Sequence, residues 1–231
     1  MKEGKHTIER DKCTFCGACV NACYVEALKI YGRNITAEEA AEIVMKDKSF
    51  YDSSGGGLTV SGGECLLQPE FVLELFSILK AHGIHTAVDT CGDIPQDNID
   101  SILNVTDLFL YDLKHTDPVQ HKAGTGRDNK QILENLRYLS DHGKAVEIRI
   151  PLIPGYNDTE ENLCCAGEIL KDIKTLTKAV ILPYHDYART KFTALGMEDT
   201  MPVVSLPTNE DLNRAVAILR SYNVNAQSVR D

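Results

Sequence analysis

The chemistry-bearing residues of this chain fall into two short stretches. Residues 12–24 read Lys-Cys13-Thr-Phe-Cys16-Gly-Ala-Cys19-Val-Asn-Ala-Cys23-Tyr, a C-x2-C-x2-C-x3-C spacing. Such a run points several thiolates from one tight turn at a single iron–sulfur cluster. Gly17 and Ala18 are small, as a backbone folding over a cluster requires. Zinc or unligated thiols are the alternatives, but zinc sites usually use two separated cysteine pairs, which four thiols within eleven residues fit poorly. The second stretch is Gly55-Gly56-Gly57-Leu58-Thr59-Val60-Ser61-Gly62-Gly63-Glu64. An apolar, β-branched run breaks there into Ser-Gly-Gly and delivers a carboxylate, so bare backbone groups and Glu64 meet whatever lies beyond the strand end. Glu64 can grip a cation, most simply an amine. A tight turn with a solvated Glu is the plainer reading of an isolated Gly-Gly-Glu.

Composition bounds the function. A chain of 231 residues suits one domain with a substantial core and a small appendage. Its formal net charge of -10 opposes nucleic-acid binding, which needs clustered Lys and Arg. No stretch approaches the ~18 apolar residues of a membrane span, and the first residues alternate in charge without an apolar leader. The expectation is a cytoplasmic protein with no membrane and no nucleic-acid partner. Eight cysteines in that compartment read as thiols or ligands, not disulfides.

Positioning these residues takes a repeated strand and helix unit. Thr36 to Glu39 reads as a capping box opening a helix with Ala40, Ile43 and Val44 inward and an end near Lys48. Ser53 to Gly57 then reads as a loop and hinge. Pro69 at a helix start, Val72, Leu75, Phe76 and Leu79 on one face, and Gly83 as a stop predict the next helix. Strands are expected around Thr86 to Val88, Leu108 to Leu110, Val146 to Ile150 and Val180 to Leu182. Between them come helices around Asp97 to Leu103, from Asp128 with Ile132, Leu133, Leu136 and Leu139 inward, and from Asp158. A last helix from Thr208 buries Leu212, Ala215, Val216 and Leu219. This alternation implies parallel strands crossed by helices, and in such sheets the ligand lies beyond the carboxyl ends of the strands. The polar residues there are Glu64, Asp89 with Thr90, Asp112 with Lys114, Arg149 and His185. Helix caps, a surface ion pair and a loop histidine account for each alone. Together they form a rim for a small zwitterion, carboxylates on its ammonium and Lys or Arg on its carboxylate.

With its motifs in the order Cys-x2-Cys-x2-Cys-x3-Cys, Ser-Gly-Gly-Glu64, His-Thr-Ala-Val-Asp-Thr90, Asp-Leu-Lys114, Arg149-Ile-Pro-Leu-Ile-Pro-Gly155 and Leu-Pro-Tyr-His185, the chain resembles a known family. It is similar to the activating enzymes of glycyl-radical enzymes, the pyruvate formate-lyase activator among them, in the radical S-adenosylmethionine superfamily. The similarity runs from about Ile8 through the last helix. The resemblance implies an α/β fold, a partial (β/α)6 barrel lacking its first strand, holding a 4Fe-4S cluster and S-adenosylmethionine. Reductive cleavage then gives a 5'-deoxyadenosyl radical that takes hydrogen from a glycine of the partner enzyme. It also implies Gly62, Gly63 and Glu64 on the methionine amino group, and Asp112, Lys114, Arg149 and His185 on the rest of the molecule. Asp89 and Thr90 match a region implicated in a monovalent-cation site. Cys13, Cys16, Cys19 and Cys23 match the second half of a ferredoxin-like insert. The implied partners are a glycyl-radical enzyme and an electron donor such as flavodoxin or ferredoxin. The expected division is a ferredoxin-like segment over 1–34, a helical linker and glycine hinge over 35–57, and the barrel over 58–231.

The departures from the family are informative. The superfamily motif C-x3-C-x2-C is absent from these residues, and with it the first barrel strand and the first half of the insert, which in the family lie upstream of the point where this chain starts. Tyr24 follows Cys23 where ferredoxin runs have Pro. In two-cluster ferredoxins the fourth Cys of such a run ligates the other cluster, so Cys13, Cys16 and Cys19 are expected to hold iron, with Cys23 reserved for a neighbouring cluster. Cys65 stands where relatives carry Pro or a small residue, and Cys91 interrupts the Asp-Thr-x-Gly turn; both read as tolerated variants. Two functions compete: an activating enzyme short of its catalytic cluster in these residues, and a non-catalytic iron–sulfur module for electron transfer or docking. The retained Glu64, Lys114 and His185 favour the first. The chain alone is expected to bind S-adenosylmethionine weakly, to make no 5'-deoxyadenosine, and to self-associate through an exposed edge at Leu58 to Val60.

Overall fold

The computed structural model describes residues 8–229. In chain order its elements are α1 (Ala18–Asn21), α2 (Ala37–Met45), α3 (Lys48–Ser54), β1 (Gly57–Val60), α4 (Pro69–Ala81), β2 (His85–Thr90), α5 (Gln96–Ile102), β3 (Leu108–Asp112), α6 (Pro118–Thr125), α7 (Lys130–Asp141), β4 (Ala145–Leu152), α8 (Glu160–Leu170), β5 (Leu176–Pro183), α9 (Arg189–Leu195), α10 (Asn209–Ser221) and β6 (Ala226–Ser228). Among the described residues, one compact unit takes in 8–35 and 186–201 and a second takes in 36–185 and 202–229.

The second unit is an α/β structure around a six-stranded sheet in the order β1-β2-β3-β4-β5-β6. Each strand pairs in parallel with its predecessor in the chain. With strands in sequential order, right-handed crossovers bring the connecting helices to one face. The sequence of β4 shows how the two faces differ: Val146, Ile148, Ile150 and Leu152 are buried, while Glu147 and Arg149 between them are half-buried, the period of two that strands impose. Val146 and Ile148 join Val88, Phe109, Tyr111 and Ile181 in one core with helix residues such as Phe76, Leu136, Leu163 and Leu219. Ala87, Leu110 and Val180 are also buried but stand outside that core. By strand alternation they share the opposite face with Asp89, Asp112, Glu147, Arg149 and Lys178.

The α4 helix forms as its pattern predicts, with Pro69 in the first turn and Val72, Leu75, Phe76 and Leu79 buried. The α10 helix carries its capping box between Thr208 and Asp211. Elsewhere the structure corrects the expected elements. The capping box at Thr36 opens α2, and Ala40 and Val44 pack against the core as expected, but the most buried residues are Ala37 and Ala41, at 1% and 3% exposure, while Ile43 is 44% exposed. The small residues let α2 lie close against α4, rotating the stripe away from Ile43. Ser53 and Ser54 finish α3 instead of opening a loop, because both hydroxyls donate back to the Phe50 carbonyl. The α8 cap is Thr159, whose side chain accepts from the Asn162 N–H, since Asp158 is engaged with the Gly155 N–H. The short elements α6, α9 and β6 were not anticipated.

The division of the chain also differs from the expected one. Residues 36–57 belong with the sheet, anchored by Ala37 and Ala41, and 186–201 belong with the cysteine-bearing unit. In that first unit Arg10 donates to the Ala194 carbonyl at 2.8 Å, a contact between distant parts of the chain that no local pattern reveals. No helix of the described residues is long and apolar enough to cross a membrane.

Candidate functional site

Glu64 joins the ends of two neighbouring strands. Its Oε2 accepts from the Thr90 hydroxyl at 2.9 Å, the Cys91 N–H at 3.0 Å and the Cys91 thiol at 3.2 Å. Its Oε1 accepts from the Leu66 N–H at 3.2 Å. The turn into Glu64 needs glycine at position 62, where φ is +143 and L side chains are strained, whereas position 63 faces open space. The carboxylate marks the neighbouring thiols. Burial, then the Glu64 charge, pushes Cys65 up to about 12. Cys91 is raised by burial too, with its hydrogen bond to Glu64 adding to the effect. Both thiols are held protonated beside the carboxylate.

The sheet face away from the helices carries a row of alternating charge. Asp89 on β2 lies 3.3 Å from the Arg149 guanidinium on β4, and Arg149 lies 3.6 Å from Glu147. Glu147 lies 3.3 Å from Lys178 on β5. At the end of β3, Lys114 is 3.4 Å from Asp112. Burial raises the Asp112 pKa and the Lys114 ammonium pulls it back. A cavity of about 150 Å³ opens here, lined by Cys91, Asp93, Asp112, Lys114, His121 and Arg127 among others. The structure thus brings Glu64 to Thr90, Asp89 to Arg149 and Asp112 to Lys114. His185 is exposed just beyond β5. Sequence reading passed over Glu147 and Lys178, whose mid-strand positions look like ordinary solvent-facing alternation.

It also passed over the buried asparagines behind the rim. Asn157 donates to the carbonyls of Lys114 and Pro151 at 2.8 Å each and accepts from the Ile153 N–H at 2.8 Å. Asn162 accepts from the Thr116 N–H at 2.9 Å and donates to the Asn157 carbonyl at 2.8 Å. Asn129 donates to the carbonyls of His115 and Thr116. Asn157 and Asn162 tie the loop after β3, which carries Lys114, to the loop after β4, and Asn129 ties it to the start of α7. The buried His115 sits in the same junction, its Nδ1 accepting from the Asp117 N–H at 3.0 Å. Burial lowers its pKa.

In the first unit, Gly17 turns the backbone at φ +75 between Cys16 and Cys19. A hydrogen bond from the Ala18 backbone, followed by one from Thr14, draws the Cys16 thiol below its usual value. Among the described residues no three His, Cys, Asp or Glu side chains stand close enough together to hold a metal ion. The donor chemistry nevertheless suits an iron–sulfur cluster: four free thiols, two of them exposed, on a turn whose backbone donates to thiolate.

Comparison with known proteins bears on the whole arrangement. Residues 10–164 match the family model of the Radical SAM superfamily. The chain is 39% identical over 209 residues to the choline trimethylamine-lyase activating enzyme of Oleidesulfovibrio alaskensis, an alignment covering 88% of this chain and 67% of that protein. It is 40% identical over 192 residues to the pyruvate formate-lyase-activating enzyme of Streptococcus mutans, covering 80% of this chain and 73% of that one. The crystal structure of a domain of pyruvate-formate lyase-activating enzyme from Bacteroides vulgatus superposes with a TM-score of 0.64 at 32% identity, covering 75% of this chain and 98% of that one. Proteins of this family use a 4Fe-4S cluster and S-adenosylmethionine. The chain belongs to the Radical SAM superfamily and, within it, to the activating enzymes of glycyl-radical enzymes.

Proposed function

We propose that the chain holds S-adenosylmethionine at its rim and serves the activation of a glycyl-radical enzyme by hydrogen abstraction from a glycine of that partner. The observation that carries this reading is Glu64, a carboxylate delivered by a glycine turn and hydrogen-bonded to the end of the next strand, in a sheet whose relatives are activating enzymes. Gly62 and Gly63 would present backbone to the methionine ammonium and Glu64 its compensating charge. Lys114 and Arg149 would meet the carboxylate and, with Asp112 and His185, the remainder of the molecule. Asp89 and Thr90 would line a monovalent-cation site. The chemistry that a bound cluster and S-adenosylmethionine supply is one-electron cleavage of the sulfonium followed by hydrogen abstraction. Cys13, Cys16 and Cys19 would hold iron, with Cys23 reserved for a neighbouring cluster. In the same reading the sheet is part of a (β/α)6 barrel, the cysteine run is half of a ferredoxin-like insert, and flavodoxin or ferredoxin in the cytoplasm delivers the electron.

The test is anaerobic reconstitution with iron and sulfide, reduction, and chromatography of 5'-deoxyadenosine. The 231 residues lack C-x3-C-x2-C and should release none. The same chain preceded by a family-type segment bearing that motif should release it and should install a glycyl radical in its partner. Turnover by the chain as it stands would instead make the Cys13 run the catalytic centre.

A further inference from the structure

Arg149 is held from two sides. Its Nη1 lies 3.3 Å from Asp89 Oδ2 and its Nε 3.6 Å from Glu147 Oε1. Glu147 stands two residues earlier on β4, so both side chains rise from the same sheet face. Its second oxygen lies 3.3 Å from Lys178 Nζ, across the register pair that Glu147 makes with Lys178 on β5. The Glu147 side chain is 13% exposed against 29% for Arg149, so the carboxylate is the more buried partner. Such an arrangement is a poor stabiliser, because the desolvation of buried charge offsets the Coulombic gain. What it supplies is geometry. A guanidinium is a planar fork; its Nη1 donates to Asp89 and the Glu147 carboxylate draws its Nε edge as an ion pair, so the two together bias the plane of that fork. Charge alternates along the row from Asp89 through Arg149 and Glu147 to Lys178, so loss of Glu147 leaves two cations with one carboxylate and lets Arg149 collapse onto Asp89.

We infer that Glu147, backed by Lys178, is a positioning residue that sets the orientation in which Arg149 meets the carboxylate of a ligand bound at the rim. The inference rests on the reading of the rim as an S-adenosylmethionine site. It concerns a residue whose mid-strand place gives no hint of a role, and it separates the groups that touch ligand from the group that aims one of them.

The test is a double-mutant cycle on the full chain with S-adenosylmethionine as the probe, read by equilibrium dialysis. NMR of the Arg149 guanidinium in the ligand-free protein accompanies it. Arg149→Ala should weaken binding about tenfold, the loss of a charge-assisted hydrogen bond. Glu147→Gln, of the same size and shape, should produce a comparable loss, and Glu147→Asp an intermediate one that replaces it if the glutamine variant does not fold. The combined Glu147→Gln and Arg149→Ala protein should bind as Arg149→Ala does, since Glu147 acts only through the arginine. In the free protein the Arg149 Nε–H signal should be sharp and should broaden in Glu147→Gln. Wild-type affinity in Glu147→Gln overturns the proposal, as does a double variant weaker than either single one. Wild-type affinity in Arg149→Ala, or no binding by any form, overturns the reading of the rim instead. The guanidinium signal then still decides the positioning role, which fails if Glu147→Gln leaves that signal unchanged.

Discussion

The thiols divide sharply by environment, and their reactivity follows. Cys16 is exposed and drawn down by the Ala18 backbone and Thr14, whereas burial and Glu64 push Cys65 up to about 12. Because the thiolate is the reactive form, brief iodoacetamide treatment near pH 8 should label Cys16 well before Cys65 or Cys91, as peptide mass mapping would read. His115 makes a second residue-scale prediction. Its folded pKa lies below the ordinary histidine value, so the unfolded chain binds the proton more readily and stability falls with acidification from the unfolded pKa of about 6.5 down through the folded one. The thermal midpoint should therefore drop between pH 7.5 and 5.5, and His115→Gln should flatten that drop. At this scale the strand-end residues Glu64, Asp89, Asp112 and Lys114 were legible because polarity at a strand terminus is conspicuous, and Arg149 was read as a strand end only because Pro151 hides the continuation of β4 to Leu152. Glu147 and Lys178 were not, since one face of any half-exposed strand carries charge. Nor were the amides of Asn129, Asn157 and Asn162, which in sequence look like the turn residues they also are.

Loops that carry the rim are fastened by elements rather than left to themselves. Asn157→Ala would orphan the carbonyls of Lys114 and Pro151 and the N–H of Ile153. With about 1–3 kcal/mol for each unsatisfied buried group, urea denaturation should show a loss of about 3 kcal/mol. Gly92 follows β2 at φ +73, and a Cβ there would sit 1.8 Å from the Tyr111 hydroxyl, which itself donates to the Ile132 carbonyl at 2.6 Å. Gly92→Ala should therefore yield far less soluble protein than Gly63→Ala, whose position faces open space. Strands and long helices were readable where period and punctuation agree, as in α4 from Pro69 to Ala81. The misread places are those where a side chain overrides its usual tendency: Ser53 and Ser54 bond back into a helix, and α2 buries Ala37 and Ala41 most deeply while Ile43 faces out.

At the scale of the molecule, the sequential parallel sheet explains why residues from β1 to β5 converge at one end, and the alternation along each strand explains why one face is apolar and the other charged. The return of 186–201 to the cysteine-bearing unit was invisible in sequence because it depends on contacts such as Arg10 to Ala194 across the length of the chain. In the function proposed above, this architecture serves hydrogen abstraction from a glycine in a partner protein. The most direct measurement follows the hydrogen itself. A glycyl-radical enzyme labelled with deuterated glycine would be incubated anaerobically with S-adenosylmethionine and the reduced, reconstituted chain bearing a C-x3-C-x2-C segment, and the 5'-deoxyadenosine weighed by mass spectrometry. Abstraction from that glycine should give product carrying one deuterium, together with a glycyl radical in the partner, and Glu64→Ala should lose both. Product without deuterium, or a Glu64→Ala protein that labels it as well as wild type, would contradict it.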